Sequence, residues 1–252
     1  MITVKLLGGL GNQMFQRAYG LALESRGYEV GYDKSSLIEG THREYSLGAF
    51  HDYILPSKGE GPEFHETPFS QDMLNPPNPS IAVGYWQSEK YFQDIPFRVQ
   101  RVFKFREQLS LKAFLIQREI HQERSAFIHV RRKDYVGLQN FHGLPSLEYY
   151  KKAVRLIEEK HGPTNFLIFS DDTEWCKQNF TTGRIVEGLT KYEDLQLMSL
   201  CNHAVIANSS FSWWGAWLGD WQSGRTVVAP KRWFVTNTMD YSNVVPERWI
   251  KL

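Results

Sequence analysis

Short apolar runs alternating with helix-patterned segments constrain this chain more than any other feature. The first instance, ITVKLLGGLGNQMFQRAYGLALESRGYEVGYD, covers residues 2–33. It begins with a strand pattern and a glycine-rich turn. Met14, Ala18, Leu21 and Ala22 then recur at helical spacing, Gly27 stops the helix, and a second strand pattern follows. Strand, helix and strand in succession predict a parallel βαβ unit. From Thr41 to Ser80 the periodicity fades and Pro and Gly accumulate, ending in NPPNPS, which reads as connecting loops bordering an acceptor surface. SIAVGYWQSEKYF returns to a strand followed by a helix.

The alternation is cleaner in the second half. SAFIHV, NFLIFSDD, GRIVEG, HAVIANSS and RTVVAP read as strands. Helices are expected between them: Leu147 to Lys160, with Tyr150, Ala153, Val154 and Ile157 on one face, then TEWCKQNF, YEDLQLMSLCN and FSWWGAWLG. The polar stretch from Arg106 to Arg124 is the expected domain boundary. Residues 1–115 are expected to form an amino-terminal α/β half and residues 116–252 a carboxy-terminal one. At 252 residues each half is large enough to bury a core.

Composition excludes several classes. A formal charge of +1 gives no support to generic nucleic-acid binding, so any local basic cluster needs a local reason. Cys176 and Cys201 are too few for a disulfide framework and lie in no zinc-ligand spacing, which predicts a reducing compartment. No apolar run approaches the ~20 residues of a membrane span, and MITVKLLGG is too short for a signal peptide. The expected location is cytoplasmic, including peripheral association with the inner face of a membrane. Aromatic content of 14 % suits stacking on sugars or bases and equally suits an aromatic core.

Four turns carry chemistry. GGLGNQMFQ sets Gly8, Gly9 and Gly11 between strand and helix, where backbone can approach a phosphate or sugar hydroxyl. Its spacing is neither GxGxxG nor GxxxxGK[ST], which disfavours a dinucleotide or ATP site. The alternative is a plain turn with Asn12 as helix cap. FIHVRRKDYV places Arg131 and Arg132 just past a buried strand, where an arginine fork can hold two phosphate oxygens. The alternative there is a solvated cluster with Asp134 pairing Arg132.

In FSDD, Asp171 and Asp172 admit three readings: a metal beside a diphosphate, recognition of a guanine edge by one carboxylate, or a cap on the following helix. NSSFSWWGAWL offers Asn208, Ser209, Ser210 and Ser212 at a strand-to-helix turn suited to phosphate. Trp213, Trp214 and Trp217 are expected to pack as helix core.

Together, GGLGNQMFQ, GYWQSEKYF, HVRRKDY, FSDD and NSSFSWWGAWL resemble, in order, the motifs of the family that holds the α-1,2-fucosyltransferases, glycosyltransferase family 11. The resemblance runs from about Ile2 to about Pro230 and is to the bacterial type, since no amino-terminal anchor segment is evident. Lys133 departs from it, standing where members often carry a small or neutral residue.

The resemblance implies a GT-B-like α/β fold of two Rossmann-like halves with a donor cleft between them. GDP-fucose would be held mainly by the carboxy-terminal half and the acceptor would lie between the halves. It implies inverting transfer of L-fucose from GDP-β-L-fucose to a galactose hydroxyl of a glycan, with no metal and no cofactor. Arg131 would neutralise the departing diphosphate and Arg132 would support it. Gly9, Gly11, Asn12, Asp172, Asn208, Ser209, Ser210 and Ser212 are the other expected donor-binding residues. Asp134 and His129 are the candidate bases, beside water or a phosphate oxygen. The rival readings are another linkage or acceptor, and a catalytically silent glycan-binding protein.

Overall fold

The computed structural model describes residues 1–133, 143–235 and 241–252. The chain divides into two compact units. The first is Met1–Glu107 with Asp240–Pro246, and the second is Gln108–Met239 with Glu247–Leu252.

In the first unit, β1 (Ile2–Lys5), β2 (Val30–Asp33), β3 (Glu63–His65) and β4 (Ser80–Val83) form a sheet in the order β2-β1-β4-β3. Every pairing is parallel. β3 lies in the stretch read as loops: three residues carry no period, and pairing with β4 alone makes them a strand. α1 (Leu10–Ser25) follows β1, and α2 (Pro96–Val102) begins with its proline in the first turn, where a missing N–H costs nothing. The helix expected directly after β4 is a single 3-10 turn, Glu89–Tyr91, capped by Ser88 Oγ.

The core of this unit stacks Tyr19 on Trp86, with centroids 3.9 Å apart and planes 2° from parallel. Trp86 holds φ +56°, a conformation unusual for a large side chain. Glu66 Oε2 accepts the backbone N–H groups of Tyr85 and Trp86 at 2.7 and 2.8 Å and fixes that turn.

The second unit contains α3 (Leu111–Gln122), β5 (Ser125–Val130), α4 (Leu147–His161), β6 (Asn165–Ser170), α5 (Thr173–Asn179) and β7 (Arg184–Ile185). α6 (Lys191–Leu200), β8 (His203–Val205), α7 (Ser210–Leu218), β9 (Val227–Ala229) and β10 (Ile250–Lys251) follow. The sheet order is β10-β9-β8-β5-β6-β7, again all parallel. β5 is buried along its whole length, which suits its mostly apolar sequence, interrupted by the buried Ser125 and His129. Trp213, Trp214 and Trp217 are buried and pack on one another, the core role expected of them.

Candidate active site

Each sheet has one point where strand order reverses. In the second unit the chain runs outward from β5 through β6 and β7, then returns to the other side of β5 with β8. In open parallel sheets ligands bind at the carboxyl edge beside such a reversal. The residues leaving β5 and β8 there are Arg131 to Lys133 and Asn208 to Ser210.

Register explains which groups meet. Val130 pairs with Ser170 on β6, so the next residues, Arg131 and Arg132, fall beside Asp171 and Asp172. Ile128 pairs with Val205 on β8, and three residues further along brings Arg131 level with Asn208. His129 and Phe211 record the same proximity, with ring centroids 5.6 Å apart.

Asp171 organises the exit of β5. Its Oδ1 accepts the Arg132 N–H at 2.9 Å, and its Oδ2 accepts the Lys133 N–H at 3.2 Å and lies 3.3 Å from Arg131 Nε. Asp172 has two tasks of its own. Oδ1 caps α5 by accepting the Trp175 N–H at 3.2 Å, and Oδ2 lies 3.3 Å from Arg132 Nε. The Arg132 guanidinium also covers the Trp175 ring at 4.1 Å, so a carboxylate and a ring hold it in place. Ser170 Oγ completes the turn, donating to Val130 O and accepting from the Asp172 N–H, both at 2.9 Å.

At the end of β8, the Asn208 side-chain N–H groups donate to Gly143 O at 3.2 Å and Trp233 O at 3.0 Å, tying two neighbouring loops to the turn. Ser209 is the residue before α7 and gives no side-chain cap. Ser210 is part-exposed in the first turn, whose N–H groups have no intrahelical acceptor. Ser212 is fully buried, with its hydroxyl within reach of Ala207 O and Ser209 O, so it serves the turn.

His129 lies inside β5 at 4 % exposure, and its Nδ1 has no hydrogen-bond partner among the described residues. Burial, and secondarily the Arg131 charge, push its pKa down to about 3, so the ring is neutral at ordinary pH. Asp134 lies outside the described residues.

The first unit has a reversal of its own between β1 and β4. The glycine turn leaves β1 there and Gly84 to Gln87 leave β4. Gly8 has φ +72°, and a Cβ on it would stand 2.5 Å from Asn12 Nδ2, so a side chain there would strain the backbone and displace Asn12. Asn12 is not the helix cap. Gly9 takes that position, because α1 starts at Leu10, and the Asn12 side chain instead accepts a hydrogen bond from Gln87 at 2.8 Å across the reversal. Gly11 is buried in the first turn of α1.

Two buried glutamines that sequence reasoning passed over hold this turn. Gln13 Nε2 donates to Gly8 O and Glu44 O, and Gln16 accepts from Leu7 N–H and donates to Gly84 O. Their three-residue spacing on one face of α1 was the available signal.

The profile of "Glycosyl transferase family 11" matches residues 72–252, more than half of the sequence. The chain belongs to glycosyl transferase family 11. A relative described as an alpha-1,2-colitosyltransferase of Escherichia coli is 31 % identical over 100 % of this chain and 99 % of its own length. A galactoside alpha-(1,2)-fucosyltransferase 2 of Oryctolagus cuniculus is 27 % identical over 86 % of this chain and 67 % of its own. Among solved structures, NodZ alpha-1,6-fucosyltransferase soaked with GDP-fucose superposes with a TM-score of 0.56 at 16 % identity, covering 86 % of this chain and 92 % of that one. At that identity the likeness is one of fold, and it is the GT-B-like fold of two parallel α/β units expected from the motifs. This family 11 member is a glycosyltransferase.

Proposed function

We propose that the chain is an inverting α-1,2-fucosyltransferase that moves L-fucose from GDP-β-L-fucose to a galactose hydroxyl of a glycan in the cytoplasm. The observation that carries this reading is the placement of Arg131 and Arg132, fixed by Asp171 and Asp172, level with the Asn208–Ser210 turn at the reversal between β5 and β8. Two cations and the N–H groups of a helix start at one sheet edge suit a diphosphate. Charge builds on that diphosphate as the glycosidic bond to fucose breaks, so a pre-fixed Arg131 stabilises the leaving group where it matters most. Single displacement on a β-linked donor then yields an α-fucoside. A strong base is not required when leaving-group departure runs ahead of attack.

Both relatives described above carry α-1,2 linkage in their descriptions, and they differ in the sugar moved. The end-to-end similarity to the colitosyltransferase supports a second reading in which the donor sugar is colitose, which lacks one hydroxyl of fucose. The deciding experiment offers GDP-fucose and GDP-colitose to the purified enzyme with a panel of galactosides in EDTA, followed by NMR of the products. An α-(1→2)-fucosyl galactoside formed without added metal supports the proposal. Turnover of GDP-colitose alone replaces the donor, a β-linked product removes inversion, and Mn²⁺-reversible arrest by EDTA removes metal independence.

A further inference from the structure

The opposite edge of the second sheet has a cavity that the transfer reaction does not use. The amino ends of β5 and β8, the carboxyl ends of α3 and α4, and the turn before β9 border a space of about 600 Å³. Arg124, His161, Asn202 and His203 line it, and among the described residues Glu123 is its only acidic lining residue. His203 is 4 % exposed, and its Nδ1 accepts the Thr226 N–H at 3.1 Å, so the ring proton sits on Nε2 as a donor. His161 stacks on His203 with centroids 3.9 Å apart, its Nε2 bonded to Thr226 Oγ1 at 2.8 Å. Asn202 Oδ1 accepts from Ser125 N–H and Oγ, which leaves the Asn202 NH₂ group as a donor.

The carboxyl ends of helices carry partial negative charge, which could by itself account for basic residues at this edge. Carbonyls at the ends of α4 and α6, however, already have donors. Gln222 serves Ser199 O and Leu200 O, Arg225 serves Met198 O and Ser199 O, and Arg124 serves His161 O with one of its five N–H groups.

We propose that this cavity is a second ligand site, which binds a phosphate or diphosphate group through Arg124, Asn202 and the His161–His203 pair. Around the two rings stand His121 in the last turn of α3, Glu123 and Arg124 just after it, Lys160 at the end of α4, and Arg225 before β9. Burial lowers the pKa of both histidines, and the neighbouring cations lower it further, taking His203 down to about 4. An anion offsets that field, so its binding raises the His161 value and strengthens as pH falls towards and below 6.5, while His203 stays neutral because its Nδ1 is held as an acceptor by the Thr226 N–H.

The test follows the His161 and His203 ring resonances by NMR during titration with inorganic pyrophosphate. It is run in wild type, Arg131→Ala, Arg124→Gln and Arg124→Lys. Saturable shifts that tighten at lower pH, survive in Arg131→Ala, weaken by about tenfold in Arg124→Gln and recover partly in Arg124→Lys support the site. Absence of saturable shifts at millimolar pyrophosphate, equal affinity in Arg124→Gln, or loss in Arg131→Ala overturns it. Flotation with phosphatidic acid and phosphatidylcholine vesicles identifies the source. Binding to phosphatidic acid that Arg124→Gln abolishes assigns a lipid phosphate, and pyrophosphate binding without flotation assigns a soluble one.

Discussion

Asp171 holds Arg131 Nε at 3.3 Å with the same carboxylate that accepts the backbone N–H groups of Arg132 and Lys133. One side chain thereby sets both the path of the β5 exit and the pose of the arginine assigned to the diphosphate. Asp171→Asn keeps the shape and removes the charge. Charge-assisted hydrogen bonds are worth about 1.5–3 kcal/mol, so kcat/KM should fall roughly 10- to 100-fold. Steady-state kinetics with a thermal melt would check this, and unchanged kcat/KM would remove Asp171 from the machinery.

Arg131→Ala should abolish transfer while leaving the melting temperature nearly unchanged, since the side chain is half-buried at a strand end and its work is stabilising a developing charge. Arg131→Lys should restore little, because a point charge cannot reproduce the planar fork. Wild-type turnover in either variant would refute the assignment.

His129 gives the folded protein an acid-labile element. Its folded pKa lies near 3, below that of the unfolded chain, so its contribution is complete above about 6.5. As pH falls the unfolded state takes up a proton that the folded state resists, and stability declines from about 6.5 down towards 3. His129→Gln should flatten the fall in melting temperature between pH 7 and pH 5. Parallel curves for wild type and variant would show that His129 is not responsible.

Arg17 is a buried charge of the first unit. It forms a two-pronged pair with Asp52 at 2.5 and 2.9 Å and donates to Tyr32 and Glu24 at 2.5 and 2.7 Å. Burial alone would lower its pKa, but the Asp52 hydrogen bond and the surrounding negative groups raise it. Removing the cation would leave Asp52 buried without its partner, so Arg17→Met should cost about 3–5 kcal/mol in denaturant unfolding. A loss below 1 kcal/mol would contradict this account.

The sequence by itself determined the parallel α/β class, because strand and helix periods are local properties of side-chain order, and it marked the β5 exit, the β8 turn and the glycine turn as the chemically loaded places. It also identified the tryptophans of α7 as core. Pairing lay beyond it. β3 and β10 are three and two residues long, too short to carry a period, and exist only because β4 and β9 supply hydrogen-bonding edges. Asp171 and Asp172 remained ambiguous among metal, guanine and cap, because a carboxylate's task depends on which donors surround it. Apart from the local Trp175 N–H that makes Asp172 a cap, those donors are Arg131, Arg132 and Lys133, which leave β5 about forty residues away and are brought there by parallel register. The cap of α1 fell to Gly9 and not Asn12 for a related reason: the helix starts where the backbone leaves the β1–β4 reversal, and Gln87 takes the Asn12 side chain.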